Sequence, residues 1–316
     1  MGGLARFLVL AFGLVFLTQS PARAYVREVT DSGIPVFWRN PCITMHFYLG
    51  APPPLLTADQ YLAAATQAAA LWSYPSLECT DIRLSIVAQA EAAADIGYDR
   101  KNVLVFRQDT WCRHPPPPQD AASPEAPCYS RSALAVTTIF RNGKTGELLD
   151  TDIEFNAVYY SWIDLVAHPE IANSMTADFQ YALTHELGHV IGLDHTCYLA
   201  GHSAIRLKDD TGALEEDCKS PTLSSAAADS IMFPTVSQLD VTGVERKRVL
   251  TPDDARGACG IHPYVHDTCP SPEDGGCSLG AQGTLESGHP WRNALVALAG
   301  LACAFFALPR LRRRRS

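Results

Sequence analysis

The feature that most limits the fold is the segment 185–195, which reads HELGHVIGLDH. On a helix, His185 and His189 lie one turn apart on the same face, so both imidazoles can reach one ion at the roughly 2.0–2.1 Å of a Zn–N bond. Gly192 can take positive φ, end the helix and turn the chain, so that His195 returns as a third ligand. The segment therefore predicts a helix, a glycine turn and a metal site.

Glu186 can supply a proton acceptor to this site. Three protein ligands leave a fourth position for a water, whose pKa falls to roughly 7 on zinc, and Glu186 is placed to take its proton. A bare H-E-x-x-H arises by chance in roughly one chain of this length in a hundred. The further glycine and histidine at fixed offsets lower that expectation roughly a few hundredfold. The spacing indicates one catalytic zinc ion in an open site.

The segment 185–196 resembles the zinc signature of the metzincin clan, and most of all that of the matrixins, the matrix metalloproteinase family, in which Ser or Thr follows the third histidine as Thr196 does here. The segment SIMFP at 230–234 resembles the Met-turn beneath the zinc of that clan, with Met232 at its centre; the alternative is a methionine in plain core.

Further along, LTPDD at 250–254 resembles the start of the last matrixin helix. It also begins a helix on local grounds, since Thr251 suits the N-cap and Pro252 the first helical position.

The resemblance covers about residues 34–264 and implies an α+β, zincin-like metzincin fold. That fold has a mixed twisted sheet with two long helices in an upper subdomain, a zinc cleft, and a small loop-rich lower subdomain with a C-terminal helix. Sequence patterns agree, because Thr57 caps an Ala-rich helix that runs to about Trp72. Strand patterns cover 43–49, 82–87, 103–106, 134–140 and 148–155.

Two segments are candidates for substrate binding. The first resembles the matrixin edge strand that pairs with an extended peptide, although it could be an ordinary sheet strand. The second follows the Met-turn and is expected, with Phe233, beside the scissile bond. The candidates are Leu134, Ala135, Val136, Pro234, Thr235 and Val236.

Other metals are less strongly indicated. Asp150, Asp152 and Glu154 alternate on one face of a strand and could bind Ca²⁺, with a solvated acidic face as the alternative. Matrixins often carry a structural-zinc histidine where this chain has Leu148 and Leu149. The resemblance therefore implies one zinc ion and leaves a second zinc unsupported.

Segments outside the catalytic domain predict export. Residues 1–24 predict a signal peptide cleaved after Ala24, with an uncleaved anchor as the alternative, and the domain itself is expected over residues 25–264. Residues 265–292 form a linker containing the motif GGCS, and 293–316 a short apolar stretch with an Arg-rich cytoplasmic end. Fifteen apolar residues rise only about 23 Å, against a hydrocarbon thickness of roughly 30 Å.

This ending resembles the sorting tails of myxobacterial surface proteins; an ordinary inner-membrane anchor is the alternative. The formal net charge of the chain is −9, from 25 basic and 34 acidic residues. Residues 1–24 and 292–316 hold eight Arg and no acids, so the exported part carries 17 minus 34, or −17. Such an acidic domain excludes nucleic acid as a partner.

Cysteine usage also predicts an oxidising compartment, since eight cysteines fall in the exported domain and no C-x-x-C pair occurs. The pairs Cys112 with Cys128 and Cys197 with Cys218 each enclose a plausible loop. Cys42 is expected to form a disulfide rather than to act as the thiolate latency switch of animal matrixins.

Together these features predict a zinc endopeptidase at a bacterial cell surface. It is expected to be a monomer that acts on proteins or peptides and contacts the membrane through its tail. Glu186 would serve as base towards water and then as acid towards the leaving amine. Two rivals remain, a non-catalytic surface or adhesion protein with the same fold, and a zinc hydrolase of non-peptide amides.

Overall fold

The computed structural model describes residues 24–113, 128–200, 206–235, 241–266 and 269. The predicted signal peptide before Ala24, the GGCS motif and the predicted membrane segment lie outside these ranges. Within the described ranges we find no helix with both the length and the apolar character needed to cross a membrane.

Nine strands, five α-helices and one 3-10 helix (Pro169–Ile171) form within the described part of the chain. The strands are β1 (Val26–Arg27), β2 (Cys42–Tyr48), β3 (Arg83–Gln89), β4 (Val103–Arg107), β5 (Ala135–Arg141), β6 (Leu148–Asn156), β7 (Ser161–Ile163), β8 (Thr176–Asp178) and β9 (Leu193–Asp194). The helices are α1 (Ala58–Leu71), α2 (Phe179–Val190), α3 (Ser225–Asp229), α4 (Val241–Lys247) and α5 (Pro252–Ile261).

The main sheet has five strands in the order β3-β2-β4-β6-β5. Neighbouring strands among the first four are parallel, whereas β5 is antiparallel to β6 and forms one edge. Opposite Thr137 on β5 stands Ile153 on β6. The fold is therefore a mixed sheet with helices, which confirms the predicted α+β class at this level.

Helix α1 begins where the sequence predicts. Thr57 accepts a hydrogen bond from the Gln60 amide, and the Gln60 side chain accepts one from the Thr57 amide, which completes a capping box. Trp72 follows the helix and donates from Nε1 to the Thr184 carbonyl at 2.9 Å, so it ties α1 to α2. This bond fixes one long helix against the other.

An aromatic cluster fills the space between the sheet and the two long helices. Its rings are buried and lie with neighbouring centroids 4.9–6.3 Å apart. Burial of one such side chain contributes about 1.5–3 kcal/mol, which makes this cluster the main apolar anchor of α2 on the sheet. Its members are Phe47, Tyr61, Phe106, Phe155, Trp162 and Phe179.

Four disulfides form in the described residues. The predicted pairs Cys112–Cys128 and Cys197–Cys218 are confirmed. Cys42 pairs with Cys269, and Cys79 pairs with Cys259 of α5, so the C-terminal part of the domain is linked to the β2 and β3 region. Cross-links over such long separations restrict the unfolded chain most strongly.

Candidate metal centre

Helix α2 begins and ends on local signals. Asp178 is its N-cap and accepts a hydrogen bond from the Tyr181 amide at 2.9 Å. The helix ends at Val190, and Gly192 then has φ +98°, which confirms the predicted glycine turn. Strand β9 follows at once and pairs antiparallel with β1. This pairing fixes the direction in which the chain leaves the turn towards His195.

Three histidine side chains converge at this point. The distance from His189 Nε2 to His185 Nε2 is 3.2 Å, and from His185 Nε2 to His195 Nε2 it is 3.3 Å. All three rings are half-buried, and their ligand atoms lie within 4.8 Å of one another. The helix spacing and the glycine turn therefore bring three ring nitrogens together at one point, the histidine triad.

Backbone carbonyls fix the tautomer of two of these rings. His185 Nδ1 lies 2.7 Å from the Ile231 carbonyl oxygen, and His189 Nδ1 lies 2.9 Å from the Leu193 carbonyl oxygen. A carbonyl oxygen only accepts, so each Nδ1 carries a hydrogen and the Nε2 of the neutral ring carries a lone pair. Such second partners are the usual supports of metal-binding histidines.

Two of the three nitrogen separations match a tetrahedral zinc ion. Two nitrogens bound to one zinc at tetrahedral angles stand about 3.3–3.4 Å apart, which follows from Zn–N bonds of roughly 2.0–2.1 Å. The two shortest Nε2 separations here are 3.2 and 3.3 Å. Lone pairs facing each other at this distance repel unless a cation lies between them. The spacing and the tautomers therefore both favour a bound metal.

The pKa of His185 lies well below its usual value. Burial is the main cause, and the neighbouring His189 and His195 lower it further. The ring is thus neutral at physiological pH, and neutral imidazole is the form that binds a metal.

The predicted Met-turn lies against the helix that carries two of the ligands. Met232 is buried, and a Cβ atom added to Gly188 would stand 2.2 Å from its Sδ atom, so a larger residue at 188 would force the Met232 side chain to move. The Thr196 amide donates to the Met232 carbonyl at 3.2 Å. Met232 therefore contacts both helix α2 at Gly188 and the segment that follows His195.

Asp254 on α5 holds this turn from the other side. Its carboxylate accepts from Ser230 Oγ at 2.5 Å and from the Ile231 amide at 3.1 Å. Thr251 is the N-cap of α5 and Pro252 its first residue, as predicted from the sequence. The start of α5 is consequently hydrogen-bonded to residues 230 and 231, directly before Met232.

Glu186 stands between the two histidines of α2 and points to strand β5. Thr137 Oγ1 donates a hydrogen bond to Glu186 Oε2 at 2.6 Å. Burial raises the pKa of Glu186, against the opposing effects of His189 and of the Thr137 hydroxyl. Glu186 is 7 % exposed, so its carboxylate has little bulk water around it.

The predicted substrate residues occupy two places. Ala135 and Val136 lie on β5, the sheet edge that also carries Thr137, and Leu134 directly precedes that strand. Pro234 and Thr235 follow Met232, and Thr235 is exposed. Val236 lies outside the described residues.

The acidic residues of β6 form a different arrangement from the one expected. Asp150, Asp152 and Glu154 are 0 % exposed, so the prediction of a solvated acidic face is wrong. Asp152 accepts from the Val103 and Gly97 amides at 2.9 and 3.1 Å.

Asp150 Oδ2 accepts from the Asp99 and Arg100 amides, and Glu154 pairs with Arg107 and accepts from Tyr129. Most of these carboxylate oxygens are thus bound to protein donors. Among the described residues, the histidine triad is the group whose ligand atoms converge on one point.

Several supporting groups were missed by sequence reasoning. The Ile231 and Leu193 carbonyls leave no trace in residue type, because any residue has a backbone oxygen. Asp254 belongs to the segment that predicted the start of α5, but no local pattern indicated its hydrogen bonds to Ser230 and Ile231. Thr137 could have been found, since strand alternation places it on the same face as Ala135.

No family model and no curated protein matches this chain. Among solved structures, the chain is similar to one in the GM1 bound form of the ECX AB5 holotoxin, with 13% sequence identity and a TM-score of 0.38. The match covers 76% of this chain and 88% of that chain. At this TM-score the likeness carries no argument about fold or function.

Proposed function

We propose that this protein is an exported zinc endopeptidase of the metzincin type, similar to the matrixins. The observation that carries the proposal is the convergence of three histidine Nε2 atoms, with separations of 3.2 and 3.3 Å from His185 Nε2 to the other two. The His185 and His189 rings also donate their Nδ1 hydrogens to backbone carbonyls. His185, His189 and His195 would hold one zinc ion. The Met232 turn and the mixed sheet with an antiparallel edge strand agree with a metzincin fold.

A bound zinc ion supplies Lewis acidity, which lowers the pKa of a water and polarises the scissile carbonyl. The chain supplies the proton transfer. Glu186 accepts a proton from the attacking water and later donates it to the leaving amine, so the carboxylate ends in the form in which it began. Its burial favours this exchange, because a raised pKa brings a carboxyl closer to the operating pH.

Strand β5 supports peptide as the substrate class. It is the outer strand of the main sheet, and its Thr137 touches the proposed base. An extended peptide that paired with the outer edge of β5 would lie along the strand whose Thr137 is bonded to Glu186. Ala135 and Val136 on this strand, with Pro234 and Thr235 on the other side, are proposed to contact the substrate.

We also propose that the protein is exported. Four disulfides in the described residues favour an oxidising compartment over the cytosol. Surface attachment through the tail rests on the sequence motif alone. Intact-mass analysis of the mature protein would test it, since a sorted chain would end near Cys277 and a simple anchor would retain its terminal arginines.

The test of the function is Glu186→Ala in the full-length protein. We expect casein cleavage to fall roughly a hundred- to ten-thousandfold, the usual contribution of a positioned acid or base, while bound zinc stays at about one equivalent. Glu170→Ala is the control, because that carboxylate is exposed on a surface turn. Wild-type activity should disappear with a chelator and return with zinc.

The rivals give different results. Unchanged peptidase activity in Glu186→Ala would overturn the mechanism. A zinc-loaded wild type that cleaves neither casein nor gelatin would favour the adhesion protein. Cleavage of small acyl amides without cleavage of any protein would favour the amide hydrolase.

A further inference from the structure

One hydroxyl contacts the carboxylate of Glu186. Thr137 Oγ1 donates to Glu186 Oε2 at 2.6 Å, across 49 residues of sequence. O–H···O⁻ bonds of about 2.5–2.7 Å are typical of a charged acceptor. A nearly buried carboxylate has lost most of its hydration, so this hydroxyl replaces a water that would otherwise solvate it.

The backbone that carries Thr137 is rigid. Its strand pairs along its length with β6, where Thr137 stands opposite Ile153. The paired backbone fixes the Cβ atom of Thr137, and the hydroxyl oxygen is bonded directly to that atom. Thr138, the next residue, stands opposite Asp152 and directs its side chain to the other face of the sheet.

We propose that Thr137 is a positioning residue for Glu186, an inference that rests on the proposed function. Its hydroxyl holds Oε2, and Oε1 is then the oxygen that exchanges a proton with the attacking water and the leaving amine. The bond holds the carboxylate in one rotamer without contact between Thr137 and the reacting atoms.

The position of Thr137 has a second consequence. The base is held by the same strand whose edge would pair with the peptide, so the substrate backbone and the base share one rigid support. Catalytic groups are effective only when held within about 0.5 Å of their productive positions. A loss of about 1 Å in alignment can lower a rate by roughly a hundredfold.

The test uses variants of the full-length, zinc-loaded protein. Thr137→Val keeps the shape of the side chain and removes the hydroxyl, and Thr137→Ser keeps the hydroxyl. We expect kcat on a peptide substrate to fall about tenfold to a hundredfold in Thr137→Val, with KM and zinc content unchanged. Thr137→Ser and the control Thr138→Val should keep kcat near the wild-type value.

Crystal structures of the same zinc-loaded proteins provide a readout that does not depend on activity. We expect the Glu186 carboxylate in one position in the wild type and in Thr137→Ser, and displaced or divided between rotamers in Thr137→Val. An unmoved Glu186, or an unchanged kcat, would overturn the inference. An equal loss of zinc, or an equal rise in KM, in Thr137→Val and Thr138→Val would also overturn it, because either would indicate a general structural role.

The failure of this inference is distinct from failure of the proposed function. If the wild type lacks peptidase activity, the function fails, and the position of Glu186 in the crystals still decides the role of Thr137. If the wild type is active and Glu186→Ala is inactive while Thr137→Val is normal, the function stands and the inference fails. Should Thr137→Val not fold, Thr137→Ala takes its place with the same expected results.

Discussion

The histidines of the α2–β9 segment and the carboxylates of β6 begin from similar sequence patterns. Each set has three side chains of a type that binds metals, placed by helical spacing and a glycine turn in the first set and by strand alternation in the second. In the first set, His185 and His189 use their second nitrogen on carbonyl oxygens and turn the other towards a shared centre. In the second, Asp152 and its neighbours on β6 bind amides and side chains of the surrounding loops.

This difference shows what spacing can and cannot predict. Spacing decides that His185 and His189 share a face of α2 and that the three carboxylates share a face of β6. Whether their ligand atoms remain available depends on the donors that the rest of the fold brings to them. Residues 97–103 donate backbone amide hydrogen bonds to the carboxylates. These bonds stabilise the loop, and the carboxylate oxygens that accept them are no longer available to a metal.

The largest expected effect comes from His189→Ala, which removes a ligand from the first set. We expect zinc content and peptidase activity to be lost together, because two remaining histidines hold the ion far more weakly. A chelator should lower the wild-type Tm, since ligand at a thousandfold excess over its Kd stabilises a fold by about 4 kcal/mol. It should not change the Tm of the variant.

Metal analysis and thermal unfolding measure both effects. His168→Ala is the control, because His168 is exposed and lies beside Glu170 on a surface turn. Full zinc content in His189→Ala would contradict the proposal that the histidine triad binds the zinc ion.

Asp152→Ala tests the second set. It leaves the Val103 and Gly97 amides without their acceptor in a buried place, and we expect a loss of about 3 kcal/mol in the free energy of unfolding. Zinc content should stay at the wild-type level. Urea denaturation with metal analysis checks both, with Asp31→Ala as an exposed control.

An ion site at these carboxylates would give the opposite pattern. Wild-type stability would then rise on addition of Ca²⁺, and Asp152→Ala would abolish that rise. A protein without such a site should show equal stability with and without Ca²⁺.

The smallest expected effect concerns a histidine that is neutral without any metal. Burial lowers the pKa of His262 to about 4, and its Nε2 lies 3.0 Å from the Ile191 carbonyl. Below the unfolded pKa of about 6.5 the unfolded chain binds a proton that the folded chain does not. The stability is therefore fully present above pH 6.5 or so and falls as the pH falls towards 4.

Between pH 7.5 and 5 this term amounts to about 2 kcal/mol. His262→Gln keeps a donor and does not titrate, so we expect its stability to fall by about that much less over the same interval. Urea denaturation at the two pH values measures the difference, and His168→Gln is the exposed control. Parallel losses in wild type and His262→Gln would contradict the prediction.

Local signals predicted much of the fold. Capping by Thr57 and Thr251 and the alternation of apolar residues located α1, α5 and the five strands of the main sheet, as with β4, predicted at 103–106 and found at Val103–Arg107. The strands β1, β7, β8 and β9 and the helices α3 and α4 were not predicted. Strands of two or three residues and helices of five and seven residues are too short to show the period of their own secondary structure. The short strands form because another segment pairs with them, β1 with β9 and β7 with β8.

The sequence by itself determined the proposed ligand residues, the helix that aligns two of them, the glycine turn and the nearby carboxylate, because all of these depend on spacing within eleven residues or so. Only the tertiary structure decided which carbonyls fix the tautomers, which hydroxyl holds Glu186, how Cys42 and Cys79 pair, and that the β6 carboxylates are buried. A partner far away in the chain is chosen by the packing of every element between, and no local pattern contains that information.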